Sequence, residues 1–275
     1  MLIDIFEDIL KPDPMFPDLP VPDILDPPFG DLPVAPEWAI FNLPESWSDV
    51  TADWISDALE PVNANYWNYI WDPLDYSFYP HKTVWDSNDF HGVGNPFEDA
   101  DCYNQQNSPT SCAVVAQISV YESMTGIELP EAVVCELAEN AGWYDAETGT
   151  SPENVGKILE ALGITVERSW DCSLGDIARA LTSGDKILVG LDAAEIWDPY
   201  RDAVTGMPLE QSFSGHAVWV TGLDFESDGS VKIILNDSGT PEGKMFAVDA
   251  VDFLNAWEDT GCFMAVAKTD PISMA

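Results

Sequence analysis

The chain has 275 residues, of which 49 are acidic and 10 basic, so its formal net charge at pH 7 is −39. A charge of this sign and size argues against nucleic acids and anionic membranes as partners, because both repel an acidic surface. Hydrophobic residues make up 46% of the chain and include 11 tryptophans, which excludes a wholly disordered protein.

The acidity has two physical explanations. Hydrated carboxylates keep a protein soluble in concentrated salt, so the chain can be adapted to a high-salt environment. Alternatively, the carboxylates meet a basic partner or calcium. Residues 224–229 loosely resemble a calcium-binding loop, but the bidentate glutamate expected downstream is missing. A hairpin turn explains this stretch better.

The cysteine pattern argues against a metal site. The five cysteines form no Cys-x-x-Cys pair, which disfavours zinc. We expect no metal site and no cofactor. The first eight residues lack the positive segment and apolar core of a secretory signal, and no apolar run is long enough to cross a membrane. We therefore expect a cytoplasmic protein without membrane insertion, with leaderless export as the alternative.

Two unusual segments precede the recognisable motifs. Residues 1–36 form a Pro-rich acidic arm with nine of the 21 prolines, which argues against regular helix or central strand. Its apolar side chains suggest an extended segment along its own surface or that of a basic partner protein, with a disordered tail as the alternative. Residues 37–99 form a Trp-rich extension with six of the 11 tryptophans, which predicts packed aromatics. His81 and His91 are expected in loops there.

Cys112 is the candidate nucleophile. It follows a turn-forming stretch at residues 107–111 and begins an apolar run with helical spacing up to Tyr121. This places the thiol in the first turn of a helix, where unpaired N–H groups and the helix dipole favour the thiolate. Gln106 lies six residues earlier, and its side-chain amide is a candidate oxyanion donor beside the Cys112 N–H.

The rest of the chain predicts a helical half followed by a sheet half. The predicted helices are residues 130–141, 152–162, 174–183 and 251–257, and the predicted strands are residues 164–167, 186–191, 215–222, 231–236, 244–248 and 261–268. Residues 192–215 are predicted to be a mostly irregular connection that forms one rim of a groove. Trp197 in this connection is either a substrate contact or part of a packing cluster.

His216 begins the first strand of a predicted hairpin whose turn contains Asp228-Gly229. If Phe225 pairs with Ser230, His216 falls opposite Gly239.

In that register Asp237 lies one diagonal step from His216 on the same face, within side-chain reach. Asn236 points to the other face unless a bulge intervenes, because side chains alternate along a strand. Asp237 is therefore the preferred partner of the imidazole.

The order Gln106, Cys112, His216, Asp237 resembles that of papain-like cysteine peptidases, most closely the bacteriocin-processing group that cleaves double-glycine leaders. The likeness spans roughly residues 100–268. It implies an α+β domain over residues 100–275, a peptide or protein substrate with small residues before the cleaved bond, and no cofactor.

The same resemblance assigns the roles of the four residues. Cys112 is the nucleophile, His216 exchanges the proton, Asp237 orients the imidazole, and Gln106 binds the oxyanion with the Cys112 N–H. N-terminal segments in this superfamily often cover the groove, so residues 1–99 are a candidate mask.

Two other functions are compatible with the same fold. An acidic binding or scaffold protein would keep the fold without the chemistry. An acyl-transfer enzyme of the transglutaminase type would use the same groups with an amine in place of water.

Overall fold

The structure, a computed structural model, describes residues 90–226 and 229–269. The arm at residues 1–36, His81 and all but the last ten residues of the Trp-rich extension lie outside them, so those expectations stay predictions. Residues 92–94 form the first strand of the described residues, and this strand pairs with the one that contains His216.

Seven strands form one antiparallel sheet in the described part of the chain. They are β1 (Gly92–Gly94), β2 (Val166–Ser169), β3 (Lys186–Asp192), β4 (Gly215–Phe225), β5 (Val231–Asn236), β6 (Phe246–Asp249) and β7 (Met264–Ala267). The order is β2-β7-β3-β4-β5-β6, with β1 paired to β4 outside this path. The central strands β3 and β4 are buried along most of their length.

Seven α-helices occur among the same residues. They are α1 (Pro96–Asp99), α2 (Cys112–Thr125), α3 (Glu131–Asn140), α4 (Lys157–Ala161), α5 (Leu174–Thr182), α6 (Ala193–Trp197) and α7 (Ala250–Glu258). Within residues 90–226 and 229–269, none of the helices has both the length and the apolar character needed to cross a bilayer.

The sheet separates two apolar layers. Leu188 and Trp219 pack in the layer that contains α2, α3 and α4, whereas Val189 and Val218 pack with α5 and α7 on the opposite face. Neighbouring residues on one strand enter different layers because strand side chains alternate. The expectation of mixed helix and antiparallel sheet is confirmed. Helices cover both faces of the sheet, so the arrangement is more than a helical half packed on a sheet half.

Most predicted elements occur within about three residues of their expected ends. The predicted helix at residues 152–162 is an exception. A 3₁₀ turn at Pro152–Asn154 is separated from α4 by two residues, the second of which, Gly156, has a φ of 90°. A Cβ on Gly156 would lie 2.6 Å from Cγ1 of Val166, so this break lets the chain approach β2. The connection at residues 192–215 contains α6, which the sequence pattern did not predict.

The register of the β4–β5 hairpin differs from the prediction near the turn and agrees with it near His216. Phe225 pairs with Val231, and not with Ser230. A β-bulge between Val220 and Gly222 then removes the one-residue difference, so that Trp219 pairs with Asn236. The register predicted at the turn was wrong by one residue. Because the bulge cancels this difference, Asp237 still lies near His216.

Asn236 points away from Asp237, as the alternation predicts, and joins two other segments to the sheet. Its Nδ2 donates to the Asp99 carbonyl at 2.7 Å, and its Oδ1 accepts from the Met245 N–H at 3.3 Å. Asn236 is 4% exposed, so these backbone groups have little access to water once it is removed.

We expect Asn236→Ala to lower the free energy of unfolding by about 2 kcal/mol, because it leaves a buried carbonyl and a buried N–H without their partner. Urea unfolding monitored by tryptophan fluorescence measures the change. Asn140→Ala, at an exposed helix end, is the matched control and should shift the midpoint little. Equal midpoints for the two variants would contradict the assigned role.

Candidate active site

Cys112 is the first residue of α2 and is half-buried. The N–H groups of the first helical turn have no partners further back in the helix, so they concentrate positive charge at the sulfur. The thiol lies close enough to the His216 ring and to the N–H groups of Ala217 and Ala113 for each of them to lower its pKa. The structure thus places the thiol at the start of a helix and close to His216.

Glu131 holds the loop ahead of Cys112. Its carboxylate accepts from the N–H of Asn107 at 2.9 Å, the N–H of Ser108 at 3.2 Å and the hydroxyl of Ser111 at 2.6 Å. These bonds tie the loop to the first turn of α3. The sequence pattern placed Glu131 near a helix start but did not predict these hydrogen bonds. Its three partners lie 20 to 24 positions away, beyond the reach of local patterns.

His216 and Asp237 form a buried pair. Nε2 of His216 lies 2.6 Å from Oδ1 of Asp237, and the two residues are 9% and 0% exposed. Because Nε2 is engaged by the carboxylate, Nδ1 is the ring nitrogen available to Cys112. The three groups therefore follow one another in the order thiol, imidazole, carboxylate.

Trp197 completes the surroundings of this pair. Its indole Nε1 donates to Oδ2 of Asp237 at 2.7 Å, while its ring contacts that of His216 edge-on with centroids 5.2 Å apart. Of the two roles that the sequence left open for Trp197, packing is thus observed, and a hydrogen bond to the carboxylate is added. No local signal could have shown this bond, since 40 residues separate the partners.

Gly239 lets the chain pass close to these side chains. Its N–H donates to Oδ1 of Asp237 at 2.8 Å. A Cβ there would lie 2.7 Å from Trp197, closer than real Cβ contacts allow, and 3.0 Å from Cε1 of His216, which is also tight. Glycine is therefore required for the Trp197 and His216 rings to keep their positions.

The pKa shifts of the three groups support a thiolate–imidazolium pair. Burial raises the pKa of the Cys112 thiol, but the hydrogen bond and charge of His216 outweigh it, and the net shift is downward. Burial lowers the pKa of His216, but the charge and hydrogen bond of Asp237 raise it far above its usual value. Burial likewise opposes ionisation of Asp237, whose pKa is nevertheless lowered by His216, Trp197 and the Gly239 N–H.

Gln106 is held between the Cys112 loop and the segment after β5. Its Oε1 accepts from the Ser238 hydroxyl at 3.0 Å, its Nε2 donates to the Ser108 carbonyl at 2.8 Å, and its own N–H donates to the Ser238 carbonyl at 2.9 Å. These contacts fix which end of the amide is the donor. One Nε2 hydrogen is used by Ser108, which leaves the second for another acceptor.

Comparison with known proteins gives a limited set of relatives. No protein-family model matches the chain. Three uncharacterized proteins, one from Mycobacterium bovis and two from strains of Mycobacterium tuberculosis, are each 28% identical over 195 residues, which cover 60% of this chain and 79% of theirs. A solved structure of a provisionally assigned C39-like peptidase from Bacillus anthracis is 12% identical, with a TM-score of 0.45, over 65% of this chain and 98% of that chain.

The thiolate should make Cys112 the fastest cysteine to be alkylated at pH 7. Burial raises the pKa of Cys135 and Cys262 to about 11 and also raises that of Cys102 and Cys172. We expect iodoacetamide to modify Cys112 at least about tenfold faster than any of these four, because only the thiolate reacts. Peptide mapping by mass spectrometry over a time course measures each rate.

The dependence on the imidazole is tested by His216→Ala, which should remove the advantage of Cys112. His91→Ala is the matched histidine control and should keep it. Unchanged Cys112 labelling in His216→Ala would show that the helix terminus alone activates the thiol.

Proposed function

We propose that the chain is a cysteine peptidase of the papain-like type, with Cys112 as nucleophile, His216 as general acid and base, and Asp237 as the residue that orients the imidazole. The observation that carries the proposal is the thiol at a helix start next to an imidazole that is itself bonded to a fully buried carboxylate. A buried carboxylate and imidazole next to a thiol serve no packing purpose that apolar side chains would not serve better.

The chemistry starts from the thiolate and the imidazolium. The sulfur attacks the peptide carbonyl carbon, a C–S bond forms, and the carbonyl electron pair moves to oxygen. As the C–N bond breaks, His216 gives its proton to the departing amine, which leaves a thioester on Cys112. Water then attacks the thioester and gives its proton to His216, the C–S bond breaks, and the thiolate returns.

The oxyanion is assigned to the backbone N–H of Cys112 and the second Nε2 hydrogen of Gln106. Donors that are already fixed stabilise the developing charge without reorganisation in the transition state. Here the Gln106 amide is held by Ser238 and Ser108, and the loop between the two donors is held by Glu131. The proposal therefore gives Glu131 a positioning role toward both donors.

An apolar rim favours an extended peptide substrate. The connection that leads into β4 exposes Tyr200 at 57%, Leu209 at 45% and Phe213 at 62%. The Phe213 ring lies 3.2 Å from where a Cβ of Gly215 would be, directly before His216. Apolar side chains of a substrate would bury these surfaces, while the small residues that the peptidase resemblance implies would lie next to Cys112.

The proposal is tested by incubating the full chain with a mixed peptide library and identifying products by mass spectrometry. We expect cleavage by the wild type and a decrease of at least about a thousandfold in Cys112→Ser. Cys172→Ser is the matched control and should cleave at the wild-type rate. A parallel reaction with methylamine separates hydrolysis, which gives free carboxylates, from acyl transfer, which gives methylamides.

Absence of turnover in the wild type under all salt conditions would overturn the peptidase assignment in favour of a binding protein. Products that are mainly methylamides would overturn it in favour of an acyl-transfer enzyme.

The pH dependence of kcat/KM follows from the ion pair. Activity should rise as pH passes the lowered pKa of Cys112 and fall as pH passes the raised pKa of His216, because the thiolate and the imidazolium coexist only between the two. Asp237→Asn removes the charge that raises the pKa of His216, so its alkaline limb should move at least about one pH unit lower.

Asp101→Asn, an exposed carboxylate elsewhere, is the control for the loss of one negative charge. An alkaline limb that stays in place in Asp237→Asn would show that the carboxylate does not set the protonation of His216.

A further inference from the structure

Three carboxylates outside the Cys112 site lie close together near the start of α6, whereas Trp197 ends this helix. Asp192 ends β3 and caps α6, Glu195 lies within α6, and Asp259 directly follows α7. One oxygen from each lies within 4.8 Å of those of the other two. Asp192 and Glu195 are 0% and 2% exposed, whereas Asp259 faces solvent.

The Asp192 carboxylate has an oxygen without a partner. Oδ1 accepts from the N–H of Ala194 at 2.8 Å and from the N–H of Ser214 at 3.1 Å. Oδ2 is buried and has no hydrogen-bond partner among the described residues. An ionised oxygen in this state is costly, because burial removes its water and nothing replaces it.

Neutral donors, and not cations, hold the neighbouring Glu195. Its Oε1 accepts from the N–H of Gln211 at 2.9 Å, and its Oε2 accepts from the side-chain amide of Asn255. No lysine or arginine within residues 90–226 and 229–269 forms an ion pair with Asp192, Glu195 or Asp259. Burial raises the pKa of Glu195 to about 7, and burial with nearby carboxylates raises that of Asp259.

We propose that Asp192, Glu195 and Asp259 bind a calcium ion. The ligands are oxygens only, which selects a hard cation over zinc or copper. Two ligands of one calcium ion can be up to about 5 Å apart, given Ca–O distances of about 2.3–2.6 Å, and the separations here fall within that limit. Magnesium demands strict octahedral geometry at about 2.0–2.1 Å and usually keeps several waters, so a largely buried cluster of protein carboxylates fits calcium better.

The ion would act on the Cys112 site through α6. Trp197 lies two residues after Glu195 on this helix, and its indole donates to Asp237. Gln211 and Ser214, whose N–H groups bond to Glu195 and Asp192, lie in the connection that leads to His216. Calcium at the three carboxylates would therefore fix both ends of that connection, and with them the Trp197–Asp237 hydrogen bond. The effect on catalysis rests on the proposed peptidase function; the binding does not.

Binding is tested on the full chain after chelator treatment, in 0.5 M KCl so that salt screens the general negative charge. Calorimetric titration with calcium chloride should give one saturable site. The melting temperature should rise by about 5 °C or more at a hundredfold excess over the dissociation constant. Magnesium chloride at the same concentration should give less than half of this rise.

Two variants separate the site from the acidic surface. Asp259→Asn alters an exposed residue, so it should fold normally and lose the calcium response. Asp192→Asn keeps the oxygen that caps α6 and removes the unpartnered charge, so it should melt no lower than the calcium-free wild type and also fail to respond. Asp101→Asn, at an 87% exposed carboxylate, should respond like the wild type.

Equal responses in all four proteins would overturn the proposal, because calcium would then act by screening alone. No response in the wild type would overturn it as well. Peptide hydrolysis by the chelator-treated wild type should increase at least about threefold on adding calcium, and Asp259→Asn should stay at the calcium-free rate. Binding without this increase would reject the coupling to Trp197 while retaining the site.

Discussion

The pairing of the segment before Cys112 with the segment after β5 is the constraint on which the site depends. The Gln106 N–H donates to the Ser238 carbonyl, and Asn236 donates to the Asp99 carbonyl more than a hundred positions earlier. These bonds fasten the start of the thiol-bearing helix to the strand end that carries the carboxylate. Without these hydrogen bonds, only the packing of α2 on the sheet would set the distance between the thiol and His216.

The buried carboxylates of Asp237 and Asp192 differ in how many of their oxygens accept hydrogen bonds. Asp237 accepts from the imidazole, the Trp197 indole and the Gly239 N–H, so both of its oxygens are satisfied. Asp192 has two N–H donors on one oxygen and none on the other. Asp237 thus needs no further partner, whereas Asp192 keeps one buried oxygen without a donor, which the proposed calcium ion would contact.

Two of the ten basic residues are used in ion pairs inside the fold. Lys186 and Arg201 are largely buried, with side chains 13% and 11% exposed, and they pair with Asp99 and Asp252. Because each of these cations is paired with a buried carboxylate, neither is available to neutralise the carboxylates at the surface. Salt or bound divalent ions relieve such repulsion without altering internal pairs, because buried pairs are screened less.

Local patterns in the sequence determined the α2 helix with Cys112 at its start and the strand that begins at His216. Helical spacing and strand alternation depend only on near neighbours, so they can be read without the fold. The tertiary structure alone decided the bulge that restored the hairpin register, the hold of Glu131 on its loop, the bond from Trp197 and the meeting of Asp192 with Asp259. Each of these joins residues whose separation along the chain carries no periodic signal, and only the packing of distant elements brings them into contact.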